Sequence, residues 1–181
     1  MRSTVWLSCL MLCLAWAQAS SAQPRTYNWA DIDCRQSRIV ASAGLKCRTT
    51  NVVTNEGNIG VFRQWAAFGD TPGGYVHIFL WEAQNGYSYL NADQTTPEFL
   101  AWMYENGQFA KNFTSPVHYS NADYSLFQDG KRSRSCAGFR QLGRPQRGGY
   151  QSIMGGILCA PSGKTLTNDQ IARFVDSVRL Q

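Results

Sequence analysis

The sequence has 181 residues, with 17 Lys and Arg residues against 12 Asp and Glu residues and a formal net charge of +5. Charged residues make up only 16% of the chain and aromatic residues 13%, which excludes a disordered tail and favours a packed globular domain. The basic excess is too small for a nucleic-acid-binding signature, so no nucleic acid partner is expected.

The first 22 residues have the layout of a cleaved secretory signal. Arg2 precedes an apolar run at residues 5–16, and small residues follow, so we predict cleavage after Ala19 or after Ala22. The run is too short to span a bilayer, and no other run reaches the roughly 18 apolar residues that a transmembrane helix needs. We therefore expect residues 23–181 to form a single globular domain, either periplasmic or secreted.

Four cysteines remain after the predicted cleavage: Cys34, Cys47, Cys136 and Cys159. An even number in an exported chain predicts two disulfides, and four cysteines allow three pairings. We favour Cys34–Cys47 and Cys136–Cys159, because the members of each pair flank a compact segment. No C-x-x-C motif occurs, so we predict no redox motif, no metal site and no cofactor.

Two strands are predicted in the middle of the chain. Residues 59–69 are rich in Val, Phe and Trp. Residues 75–83 are apolar almost throughout, which fits a strand buried on both faces, although a buried helix has the same pattern. The segment Gly69–Gly74 combines Pro with three glycines, so the two strands are expected to form an antiparallel hairpin with a six-residue loop.

A helix is predicted over about residues 96–106. Thr96 is the expected N-cap, Pro97 takes the first helical position, and Asn106-Gly107 ends the helix. Its apolar face, spaced at i, i+3 and i+4, consists of Phe99, Trp102 and Met103.

The chain has two histidines as candidates for general acid–base catalysis. His77 lies within the apolar strand, where we expect a buried, hydrogen-bonded structural imidazole. His118 lies in a loop over residues 112–123 with Asp123 nearby, so this pair carries the alternative of a small secreted hydrolase. A glycosidase-type carboxylate pair such as Asp70 with Glu98 forms only if the fold brings the two together.

Residues 133–143 and 149–160 are two further predicted strands, joined by a hairpin loop. If they pair, Cys136 and Cys159 lie near the outer ends of the strands, within bonding distance. The segment 131–147 contains six basic residues and no acidic one: Lys131, Arg132, Arg134, Arg140, Arg144 and Arg147. These side chains form either a solvated surface that deters edge pairing or a binding patch for polyanions.

Aromatic residues are concentrated in residues 65–104. Core packing explains most of them, whereas several facing outward would form a sugar- or peptide-binding platform. They are Trp65, Phe68, Tyr75, Phe79, Trp81, Tyr87, Tyr89, Trp102 and Tyr104.

The letters S-G-K-T at residues 162–165 resemble part of a phosphate-binding loop. Leu158 stands where that loop requires its first glycine, and Pro161 interrupts it. The helix predicted over residues 168–179 begins beyond the lysine, at a capping box formed by Thr167 and Gln170. We therefore interpret the segment as a turn and expect no nucleotide ligand.

The segments S-C-A-G-F-R-Q (135–141) and I-L-C-A-P-S-G-K-T-L-T (157–167) resemble small exported proteins of Gram-negative bacteria whose domains have no assigned function. In those proteins a C-x-x-F-R segment is followed by G-x-x-C-A-P-x-G and a short C-terminal helix. The resemblance covers about the last 50 residues and implies the Cys136–Cys159 pairing and a periplasmic location. The resemblance does not imply any catalytic residues.

The expected fold is α+β, an antiparallel sheet of four to six strands with two helices packed on it. The expected function is non-enzymatic: envelope-associated binding or assembly through the basic hairpin or the aromatic surface. The expected partner is an anionic envelope surface, a polysaccharide or another periplasmic protein.

Overall fold

The computed structural model describes residues 27–40, 44–56, 58–104 and 110–181, without the side chains of residues 55–59. The predicted signal at residues 1–22 and the predicted helix end at Asn106-Gly107 lie outside the described residues. No helix in the described ranges is long and apolar enough to cross a bilayer.

The described residues form eleven strands, two α-helices and a 3-10 turn at Cys34–Gln36. The helices are α1 (Thr96–Met103) and α2 (Asn168–Ser177). The strands are β1 (Ala30–Ile32), β2 (Lys46–Glu56), β3 (Asn58–Thr71), β4 (Gly74–Ala83), β5 (Ala110–Lys111), β6 (Val117–Tyr119), β7 (Ala122–Asp129), β8 (Arg134–Leu142), β9 (Pro145–Gln146), β10 (Gly149–Tyr150) and β11 (Ser152–Cys159).

Nine strands form one antiparallel sheet in the order β1-β2-β3-β4-β11-β8-β7-β5, with β6 paired to β7. Strands β9 and β10 form a separate hairpin. The antiparallel sheet with two helices is confirmed, but the expected four to six strands are too few. Strands β1, β2, β5, β6 and β7 lie where the sequence pattern predicts no strand, because they are very short or mix polar and apolar residues on both faces.

The β3–β4 hairpin is confirmed, but its loop is shorter than the six residues expected. β3 continues to Thr71 and β4 begins at Gly74, which leaves Pro72 and Gly73 between them. Gly74 has a φ of +125°, and a Cβ there would lie 2.0 Å from the carbonyl oxygen of Cys159. Glycine is therefore required where the hairpin meets the end of β11.

Both predicted disulfides are present, Cys34–Cys47 and Cys136–Cys159. Cys136 and Cys159 are direct partners in the β8–β11 ladder, at the outer ends predicted for the two strands. Between the strands, the expected hairpin loop folds into the β9–β10 pair.

Helix α2 begins as predicted. The Thr167 hydroxyl accepts from the Gln170 amide at 3.2 Å, and the Gln170 side chain accepts from the Thr167 amide at 2.9 Å. The helix ends at Ser177, two residues before the predicted end at residue 179. The buried residues Ile171, Phe174 and Val175 form its inner face.

Helix α1 begins at a different cap from the one predicted. Thr95, not Thr96, is the N-cap, and it forms a capping box with Glu98. The buried face contains Phe99, Leu100 and Met103, whereas Trp102, predicted to lie on that face, is 37% exposed and stacks its ring on Trp81 at 5.8 Å.

The two helices cover opposite faces of the sheet. Gly155 and Gly156 are neighbours on β11, and successive strand residues point to opposite faces. A Cβ on Gly155 would meet Phe99 of α1, and a Cβ on Gly156 would meet Phe139 and then Phe174 of α2. We name these surfaces the α1 face and the α2 face.

Candidate functional site

A cavity of about 540 Å³ lies on the α1 face, at the end of the sheet where α1 terminates. Six segments of the chain contribute to it: β2, β3, β4, α1, the β7–β8 loop and β8. Its lining combines arginines and aromatic rings: Arg48, Phe68, Asp70, Tyr75, His77, Met103, Tyr104, Arg132 and Arg134.

Arg48 is held between two aromatic rings. Its guanidinium carbon lies 4.5 Å from the centre of the Trp29 ring and 4.8 Å from that of Phe68. The two rings enclose part of the guanidinium and stabilise its charge by cation–π contacts. Its Nε is buried without a hydrogen-bond partner, and no carboxylate of the described residues forms an ion pair with Arg48.

Arg134, in contrast, is anchored by a buried carboxylate. Its Nε and Nη2 donate to Asp129 Oδ2 at 3.2 and 3.1 Å, and Nη2 also donates to the Tyr104 hydroxyl at 3.1 Å. Tyr104 in turn donates to Asp129 Oδ2 at 2.7 Å. Asp129 is fully buried, so its charge compensates Arg134 and fixes that side chain at the cavity wall.

Backbone groups of the β7–β8 loop complete this network. Asp129 Oδ1 accepts from the amides of Lys131 and Arg132 at 3.0 and 3.2 Å. Burial alone would raise the pKa of the Asp129 carboxyl, but these hydrogen bonds and those from Tyr104 and Arg134 outweigh it and lower the pKa below its usual value. Burial, followed by the hydrogen bond to Asp129, raises the pKa of Tyr104 to about 12. At neutral pH the network therefore contains an ionised Asp129 carboxylate and a neutral Tyr104 phenol.

His77 lies on the cavity wall, which differs from the buried, hydrogen-bonded imidazole expected from the sequence. Its ring is partly buried and meets Phe68 edge to face at 6.1 Å, and it makes no hydrogen bond with the described residues. Burial, followed by the charge of Arg48, lowers the pKa of His77 to about 4. At neutral pH the cavity thus contains a neutral imidazole, with one donor and one acceptor nitrogen.

The charges of the lining favour an anion. Arg48, Arg132 and Arg134 contribute three positive charges, and Asp70 contributes one negative charge at the exposed rim. Buried Asp129 adds one negative charge behind the wall, where it pairs with Arg134 at 3.1 Å and with Arg132 at 3.5 Å. An excess of positive charge remains in a confined, partly apolar space, where an anionic ligand group would be stabilised.

The six basic residues predicted as one surface are divided by the fold. Lys131, Arg132 and Arg134 lie at the cavity end of β8, whereas Arg144 and Arg147 are exposed beyond its other end. β8 spans nine residues, which is roughly 26 Å at about 3.3 Å per residue. Arg140 lies between the two groups, half-buried on the α1 face, where Nη1 donates to the Gln94 carbonyl oxygen. Only Arg132 and Arg134 of this set line the cavity.

The second predicted site, His118 with Asp123, is formed but lies outside the cavity. His118 Nδ1 and Asp123 Oδ1 are 2.9 Å apart across the β6–β7 pair. The His118 side chain is 74% exposed, and neither residue lines the arginine-containing cavity. Asp70 and Glu98 are not paired either, since Glu98 is held in the capping box of α1.

The aromatic residues divide between core and cavity. Trp65, Phe79 and Trp81 are buried, as core packing predicts. Tyr87 is 93% exposed. Phe68, Tyr75 and Tyr104 line the cavity, so the aromatic and basic features of the sequence meet at this one place.

The S-G-K-T segment is a turn, as predicted. The Lys164 amide donates to the Pro161 carbonyl oxygen at 3.0 Å, and Gly163 has a φ of +73°. Among the described residues, no group of three or more His, Cys, Asp or Glu side chains is arranged to hold a metal ion.

Sequence reasoning missed two residues of the cavity region, Arg48 and Trp29. Arg48 lies on β2, which the sequence pattern does not predict as a strand, and Trp29 lies just before β1. A basic residue flanked by Thr and Cys in an extended segment gives no signal of its own, because the rings that enclose it come from distant parts of the chain.

Comparisons of the chain with protein-family models, with curated proteins and with solved structures found no significant match.

Proposed function

We propose that this chain is an exported, non-enzymatic binding domain of the cell envelope that takes an anionic group of its partner into the arginine-lined cavity. The observation that carries the proposal is Arg48, a guanidinium packed against two aromatic rings and without a carboxylate partner among the described residues. A positive charge placed in a partly buried site is costly unless an anion accompanies it. In this proposal, the ligand supplies the anion that accompanies Arg48.

Export is supported by two independent features. The first 22 residues have the pattern of a cleaved secretory signal. The two disulfides agree with an oxidising compartment, where such bonds persist. The resemblance of the C-terminal region to exported Gram-negative proteins favours the periplasm as that compartment.

Isothermal titration of the purified mature protein with sulfate and acetate, at constant ionic strength and neutral pH, tests the binding function. We expect saturable binding that falls about tenfold or more in Arg48→Met, because charge-assisted hydrogen bonds are lost while most of the side-chain volume remains.

The matched control is Arg63→Met. Arg63 also stacks on an aromatic ring, 4.2 Å from the centre of Trp65, but it lies on the α2 face and its Nε donates to Thr49. Its replacement should leave binding unchanged. Equal losses in both variants, or no binding to the wild-type protein, would contradict the proposal.

A hydrolase that uses His118 and Asp123 is the second candidate, favoured by the 2.9 Å contact between them. The pair has the spacing of a base and its orienting carboxylate, but it is largely exposed and does not line the arginine-containing cavity. Turnover of model esters or glycosides that disappears in His118→Ala would favour the hydrolase over the binding domain.

A further inference from the structure

We propose that the ligand of the cavity is an acidic sugar, with its carboxylate at Arg48 and its hydroxyl groups at Asp70 and His77. This inference rests on the proposed anion-binding function and specifies the chemistry of the ligand.

The carboxylate position follows from the geometry of Arg48. Trp29 and Phe68 lie against its guanidinium at 4.5 and 4.8 Å, so we infer that a ligand meets the N–H edge that the rings leave open. Edge-on contact suits a group with two oxygens in one plane, which accepts two parallel N–H bonds, and a carboxylate has this shape.

The hydroxyl positions follow from two further groups of the lining. The side chains of Asp70 and His77 make no hydrogen bond or ion pair with other described residues. A carboxylate accepts hydrogen bonds, and a neutral imidazole both donates and accepts. The cavity therefore offers acceptors as well as guanidinium donors, and a simple anion would satisfy only the donors.

The spacing of these groups matches one sugar unit. The Arg48 guanidinium lies over Phe68, and Asp70 is the next residue of β3 on the same face, about 7 Å along the strand. His77 pairs with Phe68 across the β3–β4 ladder. A hexuronate places its carboxylate and its far ring hydroxyls at a comparable separation.

Charge decides between hydroxyl and ammonium groups as the partner of Asp70. A zwitterionic ligand would bring an ammonium group into a cavity lined by three arginines, where like charges repel. Hydroxyl groups carry no such penalty and donate to Asp70 equally directly. A polyhydroxylated anion therefore fits the lining better than an amino acid does.

Calorimetric titration with glucuronate, glucose and acetate, at constant ionic strength and neutral pH, tests the inference. We expect glucuronate to bind at least about tenfold more tightly than acetate, because hydrogen bonds to a charged group add to the anion contact, and glucose to bind far more weakly. Asp70→Asn should lower the ratio of the affinity for glucuronate to the affinity for acetate about tenfold or more, because it removes an acceptor that only the sugar hydroxyl groups use. Asp70 is exposed at the rim, so this variant should fold normally.

The outcomes separate this inference from the function on which it rests. Equal affinities for glucuronate and acetate, with no effect of Asp70→Asn, would overturn the acidic-sugar ligand and leave the anion site standing. An equal gain of affinity for both anions in Asp70→Asn would also overturn it, since Asp70 would then act only by repulsion. Failure of every anion to bind, or binding that is unchanged in Arg48→Met, would overturn both.

Discussion

The two faces of the sheet differ in whether their buried polar groups have hydrogen-bond partners. Every buried side-chain polar atom that lacks a partner in the described residues lies on the α1 face or on α1 itself. These atoms are Arg48 Nε, Gln64 Nε2, Trp81 Nε1, Thr96 Oγ1, Ser125 Oγ and Arg140 Nε. On the α2 face, Glu82 accepts from both Arg38 and Trp65, and α2 packs on an apolar cluster that includes Phe139, Met154 and Leu158.

This difference agrees with the proposed division, in which the α2 face serves stability and the α1 face binds the ligand. Buried polar groups in folded proteins are normally satisfied, and exceptions concentrate where a ligand or water completes them. The α2 face has the features of a structural core. The α1 face combines a core around Phe99 and Leu100 with an incompletely satisfied, cationic cavity.

The largest effect is expected from removal of the buried carboxylate of the α1 face. Asp129→Asn leaves Arg134, only 11% exposed, without its compensating charge, and should lower the free energy of unfolding by about 3–5 kcal/mol. Denaturant unfolding measures this change. Asp176→Asn is the counterpart on α2: this exposed carboxylate accepts from Tyr119 at 3.0 Å, and its loss should cost about 1 kcal/mol or less. Similar losses for the two variants would contradict the assigned role of Asp129.

The next effect is a loss of stability at acidic pH. The pKa of His77 is lowered from 6.5 to about 4 in the folded protein, so between these values the unfolded chain takes up a proton that the folded chain does not. The free energy of unfolding should therefore fall as the pH drops from 6.5 to 4, by at most about 3 kcal/mol from this group. Urea unfolding at several pH values should show a shallower decline in His77→Gln and an unchanged one in His118→Gln. An unchanged decline in His77→Gln would show that burial of His77 does not control acid sensitivity.

The smallest effect is expected from alanine substitutions at two adjacent glycines of β11, one on each face of the sheet. A Cβ on Gly155 would lie 2.4 Å from Phe99, and one on Gly156 would lie 2.3 Å from Phe139. Alanine at either position should destabilise the protein by about 1–3 kcal/mol through overpacking. Only Gly155→Ala should also weaken anion binding, because it displaces α1, whose end supplies Met103 and Tyr104 to the cavity. Titration of both variants with sulfate tests this, and equal weakening would remove the distinction between the faces.

The sequence predicts the parts of the fold that local signals determine. The capping box at Thr167, the strands at residues 59–83 and 133–160 and both disulfides follow from spacing, composition and cysteine parity. The N-cap of α1 is off by one residue because Thr95 and Thr96 are both suitable, and only the position of Glu98 relative to Thr95 selects between them.

Local sequence signals do not predict the cavity, because its residues come together only in the folded sheet. Arg132 and Arg134 were within the predicted basic segment, but the segment alone does not show that Arg140, Arg144 and Arg147 lie elsewhere. Arg48 reaches the same cavity from β2, about 85 residues earlier in the chain. The strand order that joins them, with β11 inserted between β4 and β8, depends on long-range pairing.

The most direct test of the anion site uses the two histidines of the chain. An NMR titration of the imidazole resonances, with and without sulfate at constant ionic strength, reports on His77 beside Arg48 and on His118 outside the cavity. An anion bound at Arg48 favours the charged imidazole, so sulfate should raise the pKa of His77 above about 4, whereas the resonances of His118 should not respond to sulfate. Equal shifts at both histidines, or no shift at His77, would contradict an anion site on the α1 face.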